Sequence, residues 1–169
     1  VIIGIDPGLT TGIYIYRTYE ANHTEVPQGP VQCPADDVPV LLHGWLNRAH
    51  AHIGKDSIHI AVEKYIITTR TAKLSQQHEA LEVTGAVKGI ASLFSSYGFS
   101  GETVDVRQYA KANLKFASDD MLKAVGWYNP KMRHANDAAR QTFALLKDVD
   151  YPRWSELVRD AKMEPTTEG

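Results

Sequence analysis

Four side chains stand where their types and spacing suit chemistry. Asp6 ends Val1 to Ile5, a run of mostly β-branched residues broken only by Gly4, and Pro7-Gly8 turns the chain directly after it. The run reads as a buried strand, so Asp6 sits at its tip on a rigid element. The other reading is an Asx-turn, in which Asp6 only bonds the following backbone. Glu63 repeats the pattern, because Ser57 to Val62 is an apolar strand that runs into it. If the two strands are parallel neighbours, their like ends share one edge and Glu63 stands beside Asp6. Otherwise Glu63 pairs with a surface lysine. His134 and Asp137 open a late helix three residues apart, and so lie about 60° apart around its axis. They project together toward one point, unless His134 is a cap and Asp137 compensates the helix dipole.

Brought together, Asp6, Glu63 and Asp137 would repel one another, and some would take up protons. Divalent cations resolve that conflict. Hard oxygen donors favour Mg²⁺ or Mn²⁺ over Zn²⁺, and the single cysteine, Cys33, argues against a structural zinc site. Two such ions about 4 Å apart, bridged by a carboxylate, can activate water and stabilise the leaving oxygen in phosphodiester hydrolysis.

The elements that must hold these groups are legible along the chain. Its 169 residues suit one domain, over about 1–150, followed over 151–169 by a short helix (154–162) and a flexible tail (163–169). Hydrophobic residues make up 43% and charged residues 22%, as in soluble globular proteins. No apolar run is long enough to span a membrane, no secretory leader is expected, and one cysteine suits a reducing compartment, the cytoplasm. Net charge is −2, so any nucleic-acid contact must come from a local basic surface.

After Asp6, Ile13 to Tyr16 is a second strand, and His23–Val26 or Val31–Cys33 a third at the sheet edge. Pro34 to Asp37 starts an amphipathic helix carried by Val38, Leu41, Leu42, Trp45 and Leu46. Lys64, Tyr65, Arg70 and Lys73 lie in a basic, hydroxyl-rich stretch suited either to phosphates or to plain solvation. Leu74 to Tyr97 is a long helix in which Gly85 and Gly89 would allow close packing, with Glu82 facing the site or solvent. Thr103 to Val106 is the last strand. Arg107, Lys111 and Lys115 then recur every four residues, which predicts a basic stripe on one helical face. Such a stripe either follows a phosphate backbone or is a solvated face. Ser118-Asp119-Asp120 caps a short helix. On the last main helix Ala135, Ala139, Thr142, Phe143 and Leu146 form the core stripe.

Taken in order, Gly4-Ile5-Asp6-Pro7-Gly8, Ala61-Val62-Glu63 and His134-Ala135-Asn136-Asp137-Ala138-Ala139 resemble the motifs of RuvC-type Holliday-junction resolvases over residues 1–147. The short, divergent form looks like resolvases carried by bacteriophages, which would place it in the host cytoplasm. The resemblance implies an α/β, ribonuclease-H-like fold: a five-stranded mixed sheet, first three strands antiparallel, with helices on both faces. It also implies Mg²⁺-dependent nicking of four-way DNA junctions, leaving 5′-phosphates, by a homodimer formed through the 74–97 helix. Carried over by position, Asp6 bridges two Mg²⁺ ions, Glu63 and Asp137 hold them, and His134 takes the remaining site position, where it binds metal, favours Mn²⁺ or orients water. Lys64, Tyr65, Arg70, Lys73, Arg107, Lys111 and Lys115 are the implied DNA contacts. The position three residues after Glu63, where the family often has an aromatic wedge, is Ile66, which widens the expected substrates to flaps and forks. A similar opening turn occurs in actin-like ATPases, but these need a second, duplicated domain. A non-catalytic DNA-binding module would not need all four site residues.

Overall fold

The computed structural model describes residues 1–17, 28–53, 58–65, 77–97 and 103–163. Arg70, Lys73, Ile66, the alternative third strand at 23–26, the first residues of the long helix (74–76) and the tail (164–169) lie outside the described residues. Strands β1 (Ile2–Asp6), β2 (Thr10–Tyr16), β3 (Gly29–Pro34), β4 (Ile58–Glu63) and β5 (Val104–Tyr109) form one sheet in the order β3-β2-β1-β4-β5. β1, β2 and β3 pair antiparallel, and β4 and β5 add on in parallel, as the resemblance implies. β3 contains Val31–Cys33, the second of the two edge segments expected.

Alternation along the strands sends residues to two different cores. Ile3, Ile5, Ile13, Ile15, Ile58, Ile60 and Val62 face α1 (Val38–Ile53) and α2 (Gln77–Tyr97), against Val38, Leu42, Trp45, Leu46, Val83 and Val87. Ile2, Tyr14, Tyr16 and Ala61 face α4 (Arg133–Val149), with α3 (Asp119–Ala124) and α5 (Tyr151–Met163) packed alongside it. Fully buried Phe143 anchors this second core, and burial of a side chain that size contributes about 2 kcal/mol or more. The same alternation puts Gly4, Asp6 and Glu63 on the α4 side.

α4 lies unusually close to β1 and β2. A Cβ on Gly4 would come within 2.1 Å of the Ala138 carbonyl oxygen, and one on Gly12 within 2.0 Å of the backbone of His134. Strand glycines here mark a close backbone approach rather than a weak strand. The Thr142 hydroxyl lies 3.1 Å from both the Tyr14 and Ala138 carbonyl oxygens and ties the helix to the sheet. Gly85 and Gly89 differ: a Cβ on either meets nothing within 4 Å, so within this chain they allow no close packing, and Glu82 beside them is exposed.

The basic stripe expected from Arg107 to Lys115 does not form. β5 runs on to Tyr109, because Val104 to Tyr109 alternates and its ladder with β4 extends to Glu63 opposite Tyr109. Arg107 is thus a strand residue, with its Nε 2.7 Å from Asp105 Oδ2 on the same face. Lys111 opens a 3-10 turn (Lys111–Leu114), and Lys115 follows it. Sheet pairing has overridden the helical spacing. α5 begins at Tyr151, earlier than the expected Trp154, with Pro152 in its first turn where a missing N–H does no harm.

The two kinds of glycine predict opposite outcomes. Gly12→Ala should destabilise the fold by about 3 kcal/mol, since the helix must be pushed off the sheet. Gly85→Ala should stabilise the single, undimerised chain by roughly 0.5–1 kcal/mol through helix propensity. Chemical denaturation of the two variants checks both signs.

Candidate active-site cleft

The β1/β4 ladder sets Ile5 opposite Val62, so the next residues, Asp6 and Glu63, lie side by side at the strand ends. Their carboxyls hydrogen-bond each other. Burial, more than any other cause, pushes Asp6 above the usual aspartate range, with the Glu63 bond and Lys111 pulling the other way and Asp137 adding to the rise. Glu63 is pushed up to about 7, by burial first and then by the bond to Asp6 and its charge. The Asx-turn reading of Asp6 does not hold. The turn after it is tied by buried Thr11, whose hydroxyl donates to the Gly8 carbonyl at 2.9 Å.

His134 comes to this pair from the first turn of α4. Its Nδ1 lies 2.9 Å from Asp6 Oδ2. It does not cap the helix. That task falls to Gln32 on β3, whose Oε1 accepts from the backbone N–H of His134 at 3.0 Å and Ala135 at 3.4 Å. Gln32 is paired with Gly12, so the strand that admits the helix also carries the side chain that caps it. Asn136, 5% exposed, pins the preceding loop, exchanging bonds of 2.8 Å with the backbone N–H and carbonyl of Asn129. Trp127, stacked on Tyr14 at 4.9 Å, holds the same loop to the sheet.

Asp137 opens onto the same cleft, but both its oxygens are engaged by cations of the chain. Oδ2 is 2.9 Å from Lys111 Nζ, and Oδ1 accepts from Arg140. The cleft has a volume of about 440 Å³ and is lined by Asp6, Glu63, Tyr65, Lys111, His134 and Asp137 among others. All four candidate site residues therefore meet. Of the candidate DNA contacts, Tyr65 and Lys111 line the cleft. Lys115 lines a neighbouring recess of about 640 Å³ bounded by α3 and α4, and Lys64 is exposed just past Glu63. Arg133, not singled out from the sequence, borders both hollows. Gln32, Arg140 and Asn136 were also missed. Only their position within two residues of an expected element or site residue could have drawn attention to them.

The donor set suits a hard divalent ion: three carboxylates and an imidazole, with Asp6 buried and Glu63 half-buried. The side chains are not closed around a point, however. Among the described residues no three His, Cys, Asp or Glu groups are placed to enclose an ion.

The sheet and its helices have a ribonuclease-H-like fold, with an acidic cleft at the ends of the first and fourth strands. No protein-family model and no curated protein matches the chain. Among solved structures it is similar to T. thermophilus RuvC in complex with Holliday junction substrate, with a TM-score of 0.52 and 18% identity over 88% of this chain and 95% of that one. That likeness establishes the fold, in agreement with the strand order and direction above. No described helix is long and apolar enough to cross a membrane.

The raised carboxyls predict an inverted pH dependence of stability. Folded Glu63 keeps its proton up to about 7, whereas the unfolded chain releases it near 4.5. Its contribution is therefore full below the unfolded value and is lost as pH rises through about 7. The melting temperature of metal-free protein, compared with that of Glu63→Gln, should fall across this window in wild type and fall less in the variant.

Proposed function

We propose that this chain is a divalent-metal-dependent, structure-selective endonuclease that nicks branched DNA, four-way junctions above all, by phosphodiester hydrolysis. The observation that carries the reading is the Asp6–Glu63 pair, Asp6 buried and Glu63 half-buried, whose carboxyls are held together at a cost that a proton or a bound cation relieves. The likeness to a protein bound to a Holliday junction points to the substrate. Asp6 and Glu63, joined by Asp137 and His134, would hold two Mg²⁺ ions, with Mn²⁺ able to substitute. Ions bound there supply charge stabilisation at the scissile phosphate and a more acidic attacking water.

The chain's own groups do the rest. His134 Nδ1 lies 2.9 Å from Asp6 Oδ2, and with an ionised Asp6 as acceptor the Nδ1–H tautomer would leave Nε2 to orient water. Lys64, Lys111 and Lys115 offer positive charge near the cleft for the DNA backbone, and Tyr65 offers a ring for a base near the branch, while Arg70 and Lys73, outside the described residues, are proposed as contacts on the resemblance alone. Arg107, paired with Asp105 in β5, is the weakest of the DNA contacts implied by resemblance. We extend the proposal to a homodimer through α2, whose outer face carries exposed Leu81 and Leu93 and leaves Gly85 and Gly89 open to a second backbone.

Asp6→Asn should bind a four-way junction as wild type does and nick it roughly 100-fold or more slowly in Mg²⁺. Mapping nicks on a mobile junction, a flap and a linear duplex checks both activity and selectivity. An unchanged rate in the variant would refute the reading.

A further inference from the structure

Three carboxylates in one cleft need positive charge among them, and the chain supplies some itself. Lys111 extends its ammonium from the turn after β5 to Asp137 Oδ2, at 2.9 Å. Burial works against that charge, yet Asp137, Glu63 and Asp6 together hold the lysine above its ordinary pKa. The ammonium thus lies among the groups expected to hold the metal.

The two oxygens of Asp137 are held unequally. Oδ1 belongs to Arg140, whose guanidinium is fixed at three points: Nη1 on Asp137, Nη2 on Asp119 and Nε on the Ala117 carbonyl at 3.1 Å. The Arg140 side chain is only 20% exposed. That of Lys111 is 60% exposed, and it sits on a four-residue turn at the rim. A planar fork locked to two elements does not let go easily, whereas a flexible ammonium at the surface does.

We propose that Lys111 is a tethered, displaceable cation that occupies Oδ2 of Asp137 in the free protein and yields it to a divalent ion as a DNA phosphate draws its ammonium away. The inference rests on the reading of Asp137 as a metal-holding residue and adds an exchange to it. Arg140 is then a positioning residue, keeping the carboxylate in place while its other oxygen changes partner. Ion and DNA must favour each other's binding, since each removes what opposes the other, and linkage makes the effect reciprocal.

Mn²⁺ titration calorimetry on the full chain without DNA tests the exchange. Lys111→Met should bind Mn²⁺ at least about tenfold more tightly than wild type, because a charge in contact with the site has gone. Arg133→Gln, which removes a rim charge but no bond to Asp137, should change affinity about twofold or less at this range of screening. In a second arm, fluorescence anisotropy of a four-way junction with and without Ca²⁺ should show tighter binding with the ion for wild type and no such gain for Lys111→Met. If Lys111→Met does not melt cooperatively, Lys111→Gln takes its place with the same expectation. Saturable Mn²⁺ binding that is equal or weaker in the Lys111 variant overturns the exchange and leaves the metal site standing. So does an equal gain in the Arg133 variant, or an absence of ion–DNA coupling in wild type. No saturable Mn²⁺ binding in any variant overturns both the exchange and the reading on which it rests.

Discussion

Parallel pairing of β1 with β4 places two carboxyls in contact on the helix-covered side of a sheet, and much of the molecule is arranged around that contact. The register is not free to slip. Ile3, Ile5, Ile60 and Val62 fill the core under α1 and α2, and a shift of one residue in either strand would turn its isoleucines out and its acid in. Hydrophobic alternation therefore forces Asp6 and Glu63 together at the far end, where burial raises both. A protein selected for stability alone would place a hydrophobic residue or a lysine at one of these ends. Retaining both acids makes sense where the cleft works with cations.

The other half of the site depends on how closely α4 can approach. Gly4 and Gly12 remove the side chains that would hold the helix off, Ala138 and Ala139 present little of their own, and Gln32 caps the first turn from the strand below. A helix shifted outward by one methyl group would carry His134 beyond hydrogen-bond reach of Asp6. The lysine and arginine on Asp137 complete the balance: the third acid is neutralised by the chain, while the first two share protons and an imidazole. The cleft thus offers a graded set of positive charges, from a locked guanidinium to an exposed ammonium.

Much of this was legible in the sequence. Strands ending in Asp6 and Glu63, the His134/Asp137 pair and the apolar stripe of α4 all follow from local pattern, and local pattern was obeyed. Ordered motifs also supplied the sheet topology, which periodicity alone could not. What escaped was set by partners distant along the chain. Val104 to Tyr109 continued as a strand because β4 offered a ladder, and this broke the i, i+4 spacing of Arg107, Lys111 and Lys115. Gly4 reads only as an interruption of its strand, since the helix that needs it lies more than a hundred residues on. Gln32, Arg140 and Asn136 are ordinary polar residues until folding brings them to His134, Asp137 and Asn129.

The central claim is that the Asp6–Glu63 pair exists to bind cations. Crystals grown with Mn²⁺ and measured at the manganese absorption edge test it most directly. The account predicts an anomalous peak within about 2.5 Å of oxygens from both carboxylates, with their mutual hydrogen bond broken. Manganese bound only elsewhere, with Asp6 and Glu63 still bonded to each other, would contradict it.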